Sequence, residues 1–233
     1  MIFKRKVKSD VPVPRIFLVR HGQSGQHRGK IFLGQYDIPL SEQGEMEAKA
    51  AGERLIDHGA RPKRIYTSDL ARAKETADII AGQLGDLPVV PDKLLREMAM
   101  GTWDGELIED IKAKFPEEYA KRGDDLRNYR IPGGENFYDL RGRVLREFHR
   151  IFSEDFRRAG AGTGAGDPGE DPGDLVIVAH LGVITVIFEE LWSDEQGVVL
   201  GRSFPTGSVT PVKTPQWLLS NKARKKAPWE KFL

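Results

Sequence analysis

A chain of 233 residues with 39% hydrophobic and 30% charged positions is long enough to bury a sizeable core, and its balance is that of a soluble globular protein. Lys and Arg number 36 against 35 Asp and Glu, so the net charge of +1 carries no nucleic-acid footprint and any positive character must be local. The absence of cysteine excludes disulfides, thiolate metal sites and cysteine nucleophiles, and suits a reducing cytoplasm.

Met1 to Asp10 is basic without a following apolar run, a poor signal peptide, and no stretch approaches the roughly 18 apolar residues of a membrane span. After Pro12 and Pro14, Arg15 to Arg20 reads as a first strand. Residues 21 to 43 hold Gly22, Gly25, Gly29, Gly34 and Pro39 without helical periodicity, as a long functional loop would. Glu45 to His58 has Met46, Ala50, Leu55 and Ile56 at helix-like spacing, stopped by Gly59. Arg64 to Thr67 reads as a short strand, and Ser68 or Asp69 can cap a helix running to about Gly85. Pro88 to Val90 suggests another strand, Leu94 to Gly105 is irregular, and Ile108 to Phe115 and Pro116 to Arg122 suggest short helices.

A longer helix is expected over Glu135 to Phe152, with Leu140, Val144, Leu145, Phe148 and Phe152 on one side. Residues 159–174 (AGAGTGAGDPGEDPGD) form a low-complexity segment expected to be flexible. Leu175 to Ala179 is a buried strand, Leu181 to Leu191 a helix, and Ser208 to Val212 a last strand; the basic tail 221–233 reads as solvated. The alternation predicts one domain over 1–233, a three-layer α/β/α fold with a largely parallel central sheet. Ligands bind such folds beyond the carboxyl ends of the strands, where His21 and His180 each directly follow a strand.

Four fragments carry candidate chemistry, each with an ordinary structural explanation when taken alone. In Leu18-Val19-Arg20-His21-Gly22, the glycine allows close approach, Arg20 offers a planar donor fork, and a neutral His21 is a competent nucleophile toward phosphorus. Arg72 falls in the first turn of a helix, where a cation gains nothing from the dipole unless an anion binds nearby. His180 ends a buried strand, either as a core residue or as part of a site. Glu97, between Leu94 and Gly105, is a carboxylate among apolar residues; beside anionic groups its pKa would rise, fitting it to protonate a leaving oxygen, the alternative being an ion pair with Arg96 or a helix cap.

Taken in order, RHG after a strand, SDLARAKET opening a helix, LREMAMGTWDG and VAHLGV resemble the histidine phosphatase superfamily, in its phosphoglycerate-mutase-like branch. The resemblance runs from about Arg15 to about Val212 and extends to GQYDIPLSEQG (34–44) and to the PGGE segment at Pro132 to Glu135. It implies that His21 takes the phosphoryl group, that Arg20, Arg72 and His180 clamp its oxygens, and that Glu97 acts as general acid and then base. It also puts His27, Gly34 and Leu181 against the substrate, and it implies no cofactor and no metal.

Several positions depart from the family pattern. Gln23-Ser24 stands where Glu-Thr or Glu-Ser is common, and His27 stands where many members have a phosphate-contacting asparagine; it is either a donor or a loop residue. Leu181 separates His180 from Gly182, so a side chain must be accommodated beside the second histidine. The N-x-x-x-Y-G pattern of the mutases is absent around Arg96 to Gly105, and Gly-Thr-Trp-Asp-Gly has the phosphatase form. The expected function is a metal-independent phosphomonoesterase acting through phosphohistidine. A phosphoglycerate mutase and a non-catalytic phospho-ligand-binding module are the alternatives. The expected partner is a small phosphorylated substrate, not nucleic acid or membrane, and a homodimer is left open. Phe32, Tyr36, Trp103 and Tyr138 are candidates for an apolar subsite, with core packing the better reading for at least two.

Overall fold

Along the two central strands, side chains alternate between two apolar layers. The structure, a computed structural model, describes residues 13–25, 29–158, 171–192 and 203–219. The strands are β1 (Ile16–Arg20), β2 (Pro62–Ser68), β3 (Val89–Asp92), β4 (Asp174–Ala179) and β5 (Val209–Val212). The helices are α1 (Glu42–Asp57), α2 (Ala71–Gln83), α3 (Ile108–Lys114), α4 (Pro116–Asp124), α5 (Phe137–Arg158), α6 (Leu181–Trp192) and the short α7 (Gln216–Leu219). The sheet order is β3-β2-β4-β1-β5, parallel except for the edge strand β5, which runs antiparallel to β1. The α/β class with a largely parallel sheet is thus as expected.

One face of the sheet presents Phe17, Val19, Val176 and Val178, which pack with Ala51 and Leu55 of α1 and Ala77 and Ile80 of α2. The opposite face presents Ile16, Leu18, Ile177 and Ala179 to α5 and α6. The expected α5 stripe of Leu140, Val144, Leu145, Phe148 and Phe152 is buried here, and a fully buried side chain of this size contributes about 1.5–3 kcal/mol. Among the described residues no helix is long and apolar enough to cross a membrane.

Four local expectations need correction. In α1, Met46 and Ile56 point to solvent, while Gly44, Ala48, Ala51, Gly52 and Leu55 are buried. Small residues let α1 come close to α2: a Cβ on Gly52 would lie 1.8 Å from Gln83 Oε1. Neither Ser68 nor Asp69 occupies the cap position of α2, which falls on Leu70; Asp37 of the preceding loop supplies an acceptor instead, taking the Ala71 N–H at 2.7 Å. The helix expected from Glu135 starts at Phe137, after a reciprocal capping box in which Asn136 and Asp139 each accept the other's backbone N–H at 2.9 Å. Asp174, grouped above with the low-complexity segment, opens β4 and is tied to Arg15 at 2.6 Å; residues 159–170 and the tail 221–233 lie outside the described residues.

Candidate active site

Strand register brings the two histidines together. Arg20 pairs with Ala179 across β1 and β4, and the His21 N–H donates to the Ala179 carbonyl at 3.0 Å, so the residues just beyond both strands are neighbours. The His21 and His180 rings lie 5.0 Å apart between centroids, tilted by 60°. After β2, α2 begins beside them and carries Arg72 in its first turn. The chain leaving His21 passes so close to α1 that a Cβ on Gly22 would lie 2.2 Å from the Gly44 carbonyl oxygen, a contact only glycine permits. The Gly22 N–H donates to Thr76 Oγ1 at 3.1 Å, and that hydroxyl donates to the Arg72 carbonyl at 2.7 Å, joining the loop after His21 to α2.

His21 is buried, with Nδ1 2.6 Å from the Gly22 carbonyl oxygen. A carbonyl only accepts, so Nδ1 carries the proton and Nε2 keeps its lone pair. Burial, and after it the Arg72 cation, pushes the His21 pKa down to about 3. His180 is fully buried and likewise held well below its ordinary range, by burial first and then by His21 and Arg72. Both imidazoles are therefore neutral at pH 7.

The folded protein refuses protons that an unfolded chain accepts at the ordinary histidine value of 6.5. Their contribution to stability is complete above that value and is lost as pH falls from 6.5 toward about 3. Urea unfolding is accordingly expected to show a lower midpoint at pH 5 than at pH 7, with a smaller difference in His21→Gln. An equal difference in both proteins would mean that His21 does not titrate this way.

Arg72 is fully buried, donating from Nη1 to the Tyr36 carbonyl at 2.9 Å and from Nη2 to the Gly34 carbonyl at 2.8 Å. Gly34 has φ +41°, and a Cβ there would lie 1.8 Å from Asp104 Oδ1. Gly34 thus meets Arg72 through its carbonyl and leaves no room for a side chain beside Asp104. Arg20 donates from Nη1 to the Phe204 carbonyl at 2.6 Å. Burial lowers the pKa of both guanidiniums, that of Arg72 to about 10, and both stay charged at neutral pH. Buried Nε atoms of Arg20 and Arg72 and both ring nitrogens of His180 have no hydrogen-bond partner among the described residues. Unmet buried polar groups cost about 1–3 kcal/mol each, and such groups beside His21 would suit an anionic ligand.

Glu97 approaches from the irregular segment before α3. Its Oε1 accepts the Met98 N–H at 2.8 Å and its Oε2 the Gly182 N–H at 3.1 Å, in the first turn of α6, two residues beyond His180. The ion pair with Arg96 weighed above does not form; Arg96 instead grips Asp69 with two contacts of 2.6 Å. A Cβ on Gly182 would lie 2.4 Å from Glu97 Oε1. Gly182→Ala is expected to push the carboxyl aside and lower kcat/KM for an aliphatic phosphate ester by about 10²-fold, the scale of a 1 Å misplacement. Steady-state kinetics beside a circular dichroism control test this.

The structure thus brings His21, Arg20, Arg72, His180 and Glu97 together. Leu181 is the first residue of α6 and is 41% exposed, so the residue between His180 and Gly182 is accommodated by pointing outward. His27 lies outside the described residues. Phe32 and Trp103 are buried with Ile111 and Ile131, whereas Tyr36 and Tyr138 are exposed. Thr76 and Asp37 have no separate signal in the sequence: both lie inside motifs that carry their neighbours, and the Gly22 N–H that Thr76 accepts and the Ala71 N–H that Asp37 accepts are distant in the chain.

Comparison with known proteins accords with this geometry. Residues 16–216 match the profile described as "Histidine phosphatase superfamily (branch 1)". The chain is 32% identical over 181 residues to phosphoglycerate mutase-like protein 4 of Arabidopsis thaliana, covering 77% of this chain and 72% of that one. It is 41% identical over 133 residues to the 2,3-bisphosphoglycerate-dependent phosphoglycerate mutase of Brucella anthropi, covering 55% of this chain and 64%, just under two thirds, of the mutase. The structure of a mycobacterial glucosyl-3-phosphoglycerate phosphatase in complex with VO3 superposes with a TM-score of 0.69 at 30% identity, over 86% of this chain and 91% of that one. The match over most of its length shows that this chain belongs to the histidine phosphatase superfamily, branch 1.

Proposed function

We propose that this protein is a phosphatase that hydrolyses small phosphate monoesters through a phosphohistidine on His21. The observation that carries this reading is the buried His21 imidazole, proton on Nδ1, set among Arg20, Arg72 and His180, whose unmatched nitrogens suit a phosphoryl group. The Nε2 lone pair attacks phosphorus while the P–O bond of the ester breaks in line, and the Nδ1–H to Gly22 bond holds the ring and steadies the cationic phosphohistidine. The guanidiniums of Arg20 and Arg72, with His180, compensate charge on the equatorial oxygens without calling on a metal. Glu97 gives its proton to the leaving oxygen. Each carboxyl oxygen accepts one backbone N–H and keeps a second lone-pair direction, so there is room for that proton. Water then attacks the phosphohistidine, Glu97 takes its proton, the P–N bond breaks and the Nε2 lone pair is restored.

The mutase reading has an observation of its own, the 41% identity to a phosphoglycerate mutase. A mutase would return the phosphoryl group to a bound phosphoglycerate rather than pass it to water. Hydrolysis is favoured by the Gly101-Thr102-Trp103-Asp104-Gly105 segment, which has the phosphatase form. Phosphate release from a panel of esters in the presence of EDTA, run beside phosphoglycerate isomerisation primed with bisphosphoglycerate, separates the two. Metal-free phosphate release is the expected result. Isomerisation without phosphate release would make the protein a mutase, and tight ester binding with neither activity would make it a binding module.

A further inference from the structure

The segment carrying Glu97 has little regular structure, yet α5 grips it closely. Arg143 uses all five of its N–H donors. Its Nη1 reaches the carbonyls of Leu94 at 2.9 Å and Arg96 at 2.8 Å, and Nη2 reaches the carbonyl of Glu97 itself at 2.8 Å. The remaining two bind Glu135, Nε to Oε1 at 2.7 Å and Nη2 to Oε2 at 2.8 Å. Glu135 in turn accepts the Ala99 N–H on Oε2 at 3.0 Å and donates its own N–H to the Ala99 carbonyl at 2.9 Å. From the other side, Gln35 Nε2 donates to the Glu97 carbonyl at 3.1 Å. Backbone groups from residue 94 to residue 99 are thus held on both sides of the one residue whose side chain reaches the N-terminus of α6.

We propose that Arg143 and Glu135 are positioning residues for proton transfer: their paired grip fixes the Glu97 backbone so that its carboxyl stands over the leaving oxygen. The inference rests on the reading of Glu97 as general acid given above. A planar fork anchored at five points sets both the position and the orientation of the strand of chain it holds, which a lysine with three rotatable donors does not. Neither residue needs to touch the phosphoryl group, so loosening the grip affects departure of the leaving group more than capture of phosphate.

The test compares two esters. Glycerol phosphate has an alkoxide that departs only with a proton, whereas dinitrophenyl phosphate has a phenolate that departs without one. The ratio of kcat/KM for the first to that for the second is independent of how much of a variant is correctly folded. Glu97→Gln serves as the reference, expected to lower the glycerol phosphate value by about 10²–10⁴-fold and the dinitrophenyl phosphate value by less than about tenfold. Arg143→Lys and Glu135→Gln are expected to lower the ratio by about tenfold or more in the same direction. If Glu97→Gln changes the ratio and both of these variants lower the two esters equally, the grip is only structural and the proposal fails, while Glu97 keeps its role. If Glu97→Gln itself leaves the ratio unchanged, the assignment of the acid is wrong and the proposal falls with it.

Discussion

Replacing His21 with alanine is expected to abolish turnover of every phosphate ester, a loss of about 10⁴-fold or more in kcat, while the protein stays folded. His180 is also neutral, but it follows a different strand and is assigned to the phosphate oxygens. Structural cost should be modest, because the His21 ring makes one hydrogen bond, to its neighbour's carbonyl, a contribution of about 0.5–1.5 kcal/mol, and the backbone bonds of His21 and the flanking strand are kept. A circular dichroism spectrum and a urea transition close to those of the parent, beside absent phosphate release, would be the expected pair of results. Retained activity would move the nucleophile elsewhere.

The second large effect is at Arg72. Arg72→Ala is expected to lower kcat/KM by about 10²–10³-fold, the scale seen when one preorganised donor is removed from a developing anion. The same change also destabilises, because the Gly34 and Tyr36 carbonyls lose their buried donors, at about 1–3 kcal/mol each if no water replaces them. Arg72→Lys separates charge from shape. Its ammonium can satisfy the two carbonyls or face the phosphate, but it cannot do both with the geometry of the guanidinium. It is therefore expected to recover stability more than activity, with kcat/KM within about tenfold of the alanine variant. A lysine variant with parental kinetics would show that charge alone suffices at this position.

These residues were legible in the sequence because their signals are local. β1 and β4 carry apolar runs, Ile16 to Val19 and Leu175 to Ala179, each followed by polar residues, so His21 and His180 fall just past strand ends without any knowledge of the sheet, and four ordered motifs supply Arg20, Arg72 and Glu97. What stayed hidden depends on distant partners or on backbone direction. Asp37 caps a helix that starts 34 residues later, which no local pattern around Ser68 reveals. Arg96 pairs with Asp69 rather than with its neighbour Glu97, across 27 residues. The buried face of α1 is hard to read because, apart from Leu55, it is built of glycine and alanine, while Met46 and Ile56 supply apolar spacing from the solvent side. A short apolar run shows a strand but not its direction, so the antiparallel edge at β5 emerged only from its pairing with β1. The grip of Arg143 on the Glu97 segment likewise reads, in sequence, as one more charge on an amphipathic helix.

The most direct test of the central claim is to trap the intermediate. The enzyme is mixed with an ester carrying radioactive phosphate, quenched in alkali within its first turnovers, digested and mapped. Label that survives alkali but is lost in acid, on the peptide that contains His21, and that is absent from His21→Ala, is the expected result. Turnover with no trapped label under rapid quench, or label on a different peptide, would contradict a phosphohistidine at His21.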